Sequence, residues 1–207
     1  VFVLPLLAAP ALAQTPDTVF LEELTWPEVR SLVAAGKTTI ILPIGGTEQN
    51  GPHMALGKHN VRVRALAERI ARALGHTLVA PVIAYVPEGR ISPPSGHMRF
   101  PGTISVPEET FERVLESAGR SFRQHGFRDV VFLGDHGSTQ AGQRTVAARH
   151  NREWAGAPTR AHAIEEYYRA SQAEFARALR ARGFSQAEIG THDGLADTSL
   201  MLAIVAR

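Results

Sequence analysis

Residues 38–60 read TTIILPIGGTEQNGPHMALGKHN, and the first seven of them decide the fold. Thr38 to Ile44 is a β-branched apolar run, apt for a strand buried on both faces of a parallel sheet. The chemistry then reverses. From Thr47 to Asn60 the chain gathers a carboxylate, two histidines, carboxamides and several chain-bending Gly and Pro residues. A solvated loop needs none of that chemistry, whereas a metal site needs most of it.

Working outward, strand-like and helix-like stretches alternate. Trp26 to Ala35 has the pattern of a short amphipathic helix ended by Gly36. Val61 to Leu74 is apolar at helical spacing, with Asn60 as N-cap and Gly75 as stop. Leu78 to Tyr85 reads as a second strand, followed by an irregular Pro/Gly-rich stretch, Pro87 to Gly102. Pro107 to His125 is helical with proline in its first turn. Asp129 to Leu133 (DVVFL) is a third strand and Thr139 to Trp154 a further helix. A short apolar bridge leads to a helix over Glu165–Arg182, and Thr198–Ala206 forms an apolar final helix. Such alternation predicts βαβ units, hence an α/β protein: a three-layer α/β/α sandwich with a mostly parallel central sheet.

The 207 residues, 44% hydrophobic and 20% charged, suit one domain over residues 14–207. The net charge is only +2 and no basic run exceeds two residues, so no nucleic-acid partner is expected. Residues 1–13 (VFVLPLLAAPALA), followed by Gln14, read as the remnant of a secretory signal with a small-x-small cleavage pattern. The expected location is periplasmic or secreted, with no membrane association after cleavage. With no cysteine there are no disulfides, so the fold rests on its core or on subunit contacts. The sequence stops inside a helical pattern (SLMLAIVAR), which suggests C-terminal elements beyond Arg207.

In a parallel sheet the functional crevice lies beyond the carboxyl ends of the strands. One polar cluster follows TTIILPI and holds Glu48, Asn50, His53 and His59. A second follows DVVFL and reads GDHGS, with Asp135, His136 and Ser138. A third, THDGLADTS, carries His192, Asp193 and Asp197 at the entry to the last helix. Without cysteine a thiol nucleophile is excluded. Imidazoles mixed with carboxylates are a ligand set for Zn²⁺, Mn²⁺ or Fe²⁺. A Ser-His-Asp arrangement through Ser138 lacks the GxSxG elbow, and neither GxGxxG nor a P-loop is present. His53 fixes the Gly51-Pro52 turn or faces the site, and Asp135 orients a histidine or caps the next helix. His97 and Arg99 contact substrate, or their segment serves a subunit contact.

These clusters resemble the creatininase (creatinine amidohydrolase) family. LPIGGTEQNGPH is similar to that family's LP-G-EQHGPHLPLGTD signature, and MRFPGTISV, with His97 before it, to its H-x-x-FPGT segment. FLGDHGSTQ sits where the family has NGHGGN, and THDGLADTS where it has HAGExETS. The resemblance implies an α/β/α fold, often hexameric, with a divalent metal centre that hydrolyses cyclic or linear amides. It assigns metal binding to Glu48 and His136, proton transfer to His192, and to Asp197 the place of a glutamate. Three positions depart from the pattern. Asn50 replaces a histidine, His59 falls where the family has a metal-bridging aspartate, and Ser138 stands in place of a carboxylate ligand. An imidazole presents one lone pair to one metal, where a carboxylate can bridge two.

The expectation is therefore one Zn or Mn ion (Fe as a further candidate) held by Glu48, His59 and His136, with an open water position. His192 and Asp197 are the catalytic residues. Asn50, His53, Asp135, Ser138 and His97 support the site or touch substrate. The activity implied is hydrolysis of a C–N bond in a small amide by a homo-oligomer. The alternative is a non-catalytic relative that binds a small ligand through a decayed site.

Overall fold

In the computed structural model, which describes residues 16–190, 192 and 194–205, Thr39–Ile44 form strand β1, buried at every position. It lies inside a four-stranded parallel sheet of order β2-β1-β3-β4, with β2 at Thr77–Val79, β3 at Asp129–Gly134 and β4 at Arg160–Ala163. Register runs from Thr39 opposite Thr77 and Asp129 to Ile44 opposite Gly134. Alternation of side chains along the central strands builds two cores. Ile40, Leu42, Ile44, Val130 and Phe132 face one side, against Phe111 and Leu115 of helix α3 (Glu108–Gln124) and Val146 of α4 (Gln140–Glu153). Helix α1 (Trp26–Ala34) adds Val29 and Val33 to that layer. Ile41 and Leu133 face the other side, against Val63, Ala67 and Ala71 of α2 (Lys58–Leu74) and Tyr167 of α5 (Glu165–Arg169). This is the expected α/β/α sandwich.

The differences from expectation have local causes. The second strand is short because Pro81 has no N–H to donate. Pairing resumes only as isolated parallel bridges, Ile44 to Ile83 and Val86 to Ser105. Strand β4 falls in the stretch read as an apolar bridge; its Arg160–Ala163 alternation, with Ala161 and Ala163 on the core, spans only four residues and holds no β-branched or aromatic side chain to mark a strand. Helix α2 begins three residues before Val61, after Gly57, so Asn60 lies within its first turn. The Asn60 side chain reaches outward from the helix, accepting the Gly46 N–H at 3.0 Å and donating to Thr47 Oγ1 at 3.2 Å. The long helix from Glu165 passes through a π turn at Ala170–Glu174 before α6 (Phe175–Ala181); a short α7 (Gln186–Ile189) precedes α8 (Leu195–Val205). Residues 1–15, Thr191, Asp193, Ala206 and Arg207 lie outside the described residues, and with them the expected signal remnant and the expected helix end at Ala206. No helix among the described residues is long and apolar enough to cross a membrane.

Helices α3 and α4 meet at Gly119, where a Cβ would come 2.4 Å from His150 Nε2. The fully buried His150 ring stacks on Trp154, with centroids 4.1 Å apart. Burial pushes the His150 pKa below its ordinary value, while Glu153 and Glu116 pull it up and Arg120 pushes it down. A folded pKa below the unfolded one means that stability is complete above about pH 6.5 and falls as the pH drops below it. The melting temperature should therefore drop as the pH falls from about 6.5 to about 5, and less so in His150→Leu. Gly119→Ala should destabilise the protein by about 1–3 kcal/mol in denaturant titration; an unchanged midpoint would mean that the two helices do not pack this tightly.

Candidate metal centre

Three loops leave the carboxyl ends of the sheet and fold over one another. The first, after β1, carries Glu48, whose side chain is wholly buried. Its N–H donates to Leu56 O at 3.2 Å, and its carbonyl accepts from Asn50 Nδ2 at 3.0 Å, so the buried Asn50 holds this loop in shape. The third, after β3, carries Asp135 and His136. His136 Nδ1 lies 2.7 Å from Ser138 Oγ and accepts the Ser138 N–H at 3.2 Å, which turns its Nε2 toward Glu48 Oε2 at 3.0 Å.

The second loop is the Pro/Gly-rich stretch beyond β2. It supplies His97, whose Nδ1 meets Gln49 Nε2 at 3.1 Å and whose Nε2 lies 3.1 Å from Glu48 Oε2. It also supplies Glu88, a residue the sequence reading did not single out. The Glu88 side chain is fully buried, with Oε2 3.4 Å from His136 Nε2 and neither oxygen in a hydrogen bond. One ligand atom from each of Glu48, Glu88, His97 and His136 falls within 4.8 Å of the others. The carboxyl-end rule, had it been applied after the second strand as after β1 and β3, is the signal that leads here; a lone glutamate between Pro87 and Gly89 gave no pattern of its own.

The electrostatics differ sharply between the two carboxylates. Burial pushes Glu48 up, but hydrogen bonds from His136 and His59 more than reverse this and hold it well below the usual carboxylate range. Burial and the adjacent Glu48 charge push Glu88 up to about 9. Burial also lowers the His97 pKa, against the pull of Glu48. Two imidazoles and two carboxylates form a donor set suited to Zn²⁺ or Mn²⁺.

Behind this group stands a charged network. His59, in the first turn of α2, places Nε2 2.9 Å from Glu48 Oε1 and Nδ1 2.7 Å from Asp135 Oδ2. Asp135 also accepts from Arg62 Nε at 2.8 Å and from the Tyr167 hydroxyl at 2.7 Å. Arg62 Nη1 and Lys58 Nζ each donate to Asp197, both at 2.8 Å, which ties α8 to α2. Burial raises the Asp197 pKa, but Lys58 and Arg62 outweigh it and leave the carboxyl below its ordinary value. A cavity of about 50 Å³ opens between this network and the donor group, bordered by His136, Tyr168, His192 and Asp197. The exposed His192 stands beside His97, ring centroids 5.3 Å apart. His53 lies at the surface with Nε2 3.4 Å from Thr198 Oγ1.

Residues 22–206 match the Creatininase family, described as creatinine amidohydrolase. The chain belongs to that family. A creatinine amidohydrolase of Pseudomonas putida is 34% identical over 119 residues, which are 58% of this chain and 45% of the relative. A 3-dehydro-scyllo-inosose hydrolase of Thermotoga maritima is 30% identical over 125 residues, 60% of this chain and 38% of that one. A solved structure described as "Creatininase Mn" superposes with a TM-score of 0.72 at 30% identity, over 92% of this chain and 74% of that chain. The matched stretches thus span less than half the length of either hydrolase. The motif resemblance is confirmed at the level of family and fold.

The buried ion network sets a stability test. Asp197→Ala leaves Lys58 and Arg62 buried beside an empty position, and breaking a buried pair in this way costs about 3–5 kcal/mol. The loss should appear as a lower denaturant midpoint; a shift below about 1 kcal/mol would mean that α8 does not depend on these contacts.

Proposed function

We propose that this chain is a divalent-metal hydrolase acting on a C–N bond in a cyclic or small amide. The observation that carries the reading is the convergence of ligand-type side chains from three sequence-distant loops around a buried carboxylate whose oxygens make no hydrogen bond. When bound, a divalent ion supplies a water acidified toward neutrality and a Lewis acid for a carbonyl. The chain's own residues do the rest. Glu48 and His136 hold the ion, with Ser138 orienting His136 and Asn50 bracing the loop of Glu48. His192, exposed beside His97 at the cavity mouth, carries a proton to the leaving nitrogen. Asp197 is clamped by two cations and stays ionised, so it anchors α8 and the cavity wall instead of exchanging protons.

Membership of the creatininase family and the existence of Mn and Zn–Zn forms among solved creatininases support a Zn or Mn ion. Replacement of the bridging position by His59 supports one ion per chain. The reading includes an exported protein, on the residue pattern of Val1 to Gln14, and a homo-oligomer, on family resemblance. The substrate is a small molecule that reaches the His192 side of the cavity. The non-catalytic alternative has weaker support, because Asn50, His59 and Ser138 remain polar, hydrogen-bonding residues in a built site.

Elemental analysis should find about one Zn or Mn per chain, lost in Glu48→Ala and His136→Ala. A panel of cyclic and linear amides should reveal turnover that needs the ion. His192→Gln should keep the metal while kcat falls by about 10²–10⁴. Full metal occupancy with no turnover on any amide would leave the ligand-binding alternative.

A further inference from the structure

We propose that the ion is held by Glu48, Glu88, His97 and His136, and that His59 is a positioning residue that fixes Glu48 from behind. The inference rests on the metal-dependent reading above and names its ligand set.

Glu88 is the decisive residue. A buried carboxylate ordinarily has its oxygens paired, yet both oxygens of Glu88 lack a hydrogen bond. His136 Nε2 stands 3.4 Å from its Oε2, and the Glu48 carboxylate belongs to the same group of ligand atoms. The chain nevertheless fixes it firmly. The Glu88 N–H donates to Ser105 Oγ at 2.9 Å, and its carbonyl accepts the His97 N–H at 3.2 Å, so the two side chains are presented as a unit. Gly46 leaves the space that the carboxylate fills, for a Cβ there would lie 2.7 Å from Glu88 Oε1. A divalent cation is the group that turns this arrangement from repulsive to attractive, since two carboxylates and two neutral imidazoles balance its charge.

His59 differs in kind. Both of its nitrogens already face carboxylates, Glu48 Oε1 at 2.9 Å and Asp135 Oδ2 at 2.7 Å. Asp135 is itself pinned by Arg62 and Tyr167. His97 and His136 also face Glu48 through Nε2, but their ligand atoms fall within 4.8 Å of one from Glu88, and His59 does not belong to that group. With Oε1 occupied by His59, Glu48 presents only Oε2 toward His97 and His136, at 3.1 and 3.0 Å. One oxygen so aimed serves one ion. The chain Asp135–His59–Glu48 thus works as outer-shell partners do, by fixing the direction and basicity of a ligand.

The test is Co²⁺ uptake by the full chain, read by elemental analysis and by the visible ligand-field absorption. The wild type should take up about one Co²⁺ per chain. Glu88→Gln and His97→Gln should bind at least about 100-fold more weakly, and Glu88→Gln should melt, without metal, at or above the wild-type temperature. His59→Gln should keep one Co²⁺ with its absorption bands in place, at an affinity about 10–100-fold lower. The proposal is overturned if Glu88→Gln keeps wild-type affinity and spectrum, or if His59→Gln shifts the bands as loss of an imidazole would. Should Glu88→Gln not fold, Glu88→Asp is the substitute: changed bands support the assignment and unchanged bands overturn it. A wild type that takes up no ion at all overturns the metal-dependent reading and this assignment together.

Discussion

The guanidinium of Arg62, buried between Asp135 and Asp197, is the contact on which the site's geometry depends. From the second turn of α2 it reaches the end of β3 on one side and the start of α8 on the other. Only a planar fork with several donors spans two carboxylates in this way; a lysine at the same place would serve one. By holding Asp135 still it orders His59, and through His59 it orders Glu48. The order imposed on the donor group therefore begins outside it, at Arg62 and Asp135, and reaches Glu48 through His59.

Seen as charge accounting, the interior is divided. Asp135 and Asp197 receive protein cations, Arg62 and Lys58, at hydrogen-bond distance. Among the described residues Glu48 and Glu88 have no Lys or Arg at ion-pair distance, only imidazoles. Burial of unpaired charge is strongly unfavourable, so this asymmetry is the physical content of the word "site" here. The first pair is finished by the chain itself, and on the proposed reading the second pair receives its charge partner from the bound ion.

The central strands were legible because TTIILPI and DVVFL are buried on both faces and carry continuous apolar runs. Glu48, His136 and the THDGLADTS cluster were legible because they follow strands or open a helix at the sheet's carboxyl end. Strand β4 was not legible, since RAHA alternates over only four residues and its core-facing side chains are alanines, which carry no strand signature. The start of α2 was misplaced because Asn60 has the residue type of a cap, whereas its side chain is used to brace Gly46 and Thr47. Glu88 and the Arg62 network escaped for a common reason. Their roles come from burial and from partners more than 70 positions away or in irregular loops, and neither leaves a local pattern.

Gly45 and Gly46 carry one more consequence. A Cβ on Gly45 would lie 2.1 Å from Asn60 Oδ1, and one on Gly46 would lie 2.7 Å from Glu88 Oε1. Each missing methyl group is thus matched to a polar side chain from a different part of the chain. The volumes interlock like the two halves of a mould. A larger residue at Gly46 would have to displace the Glu88 carboxylate, whereas at Gly45 loss of the Asn60 side chain would not suffice, because the Asn60 backbone N and Cα would still lie 2.9 Å from the added Cβ.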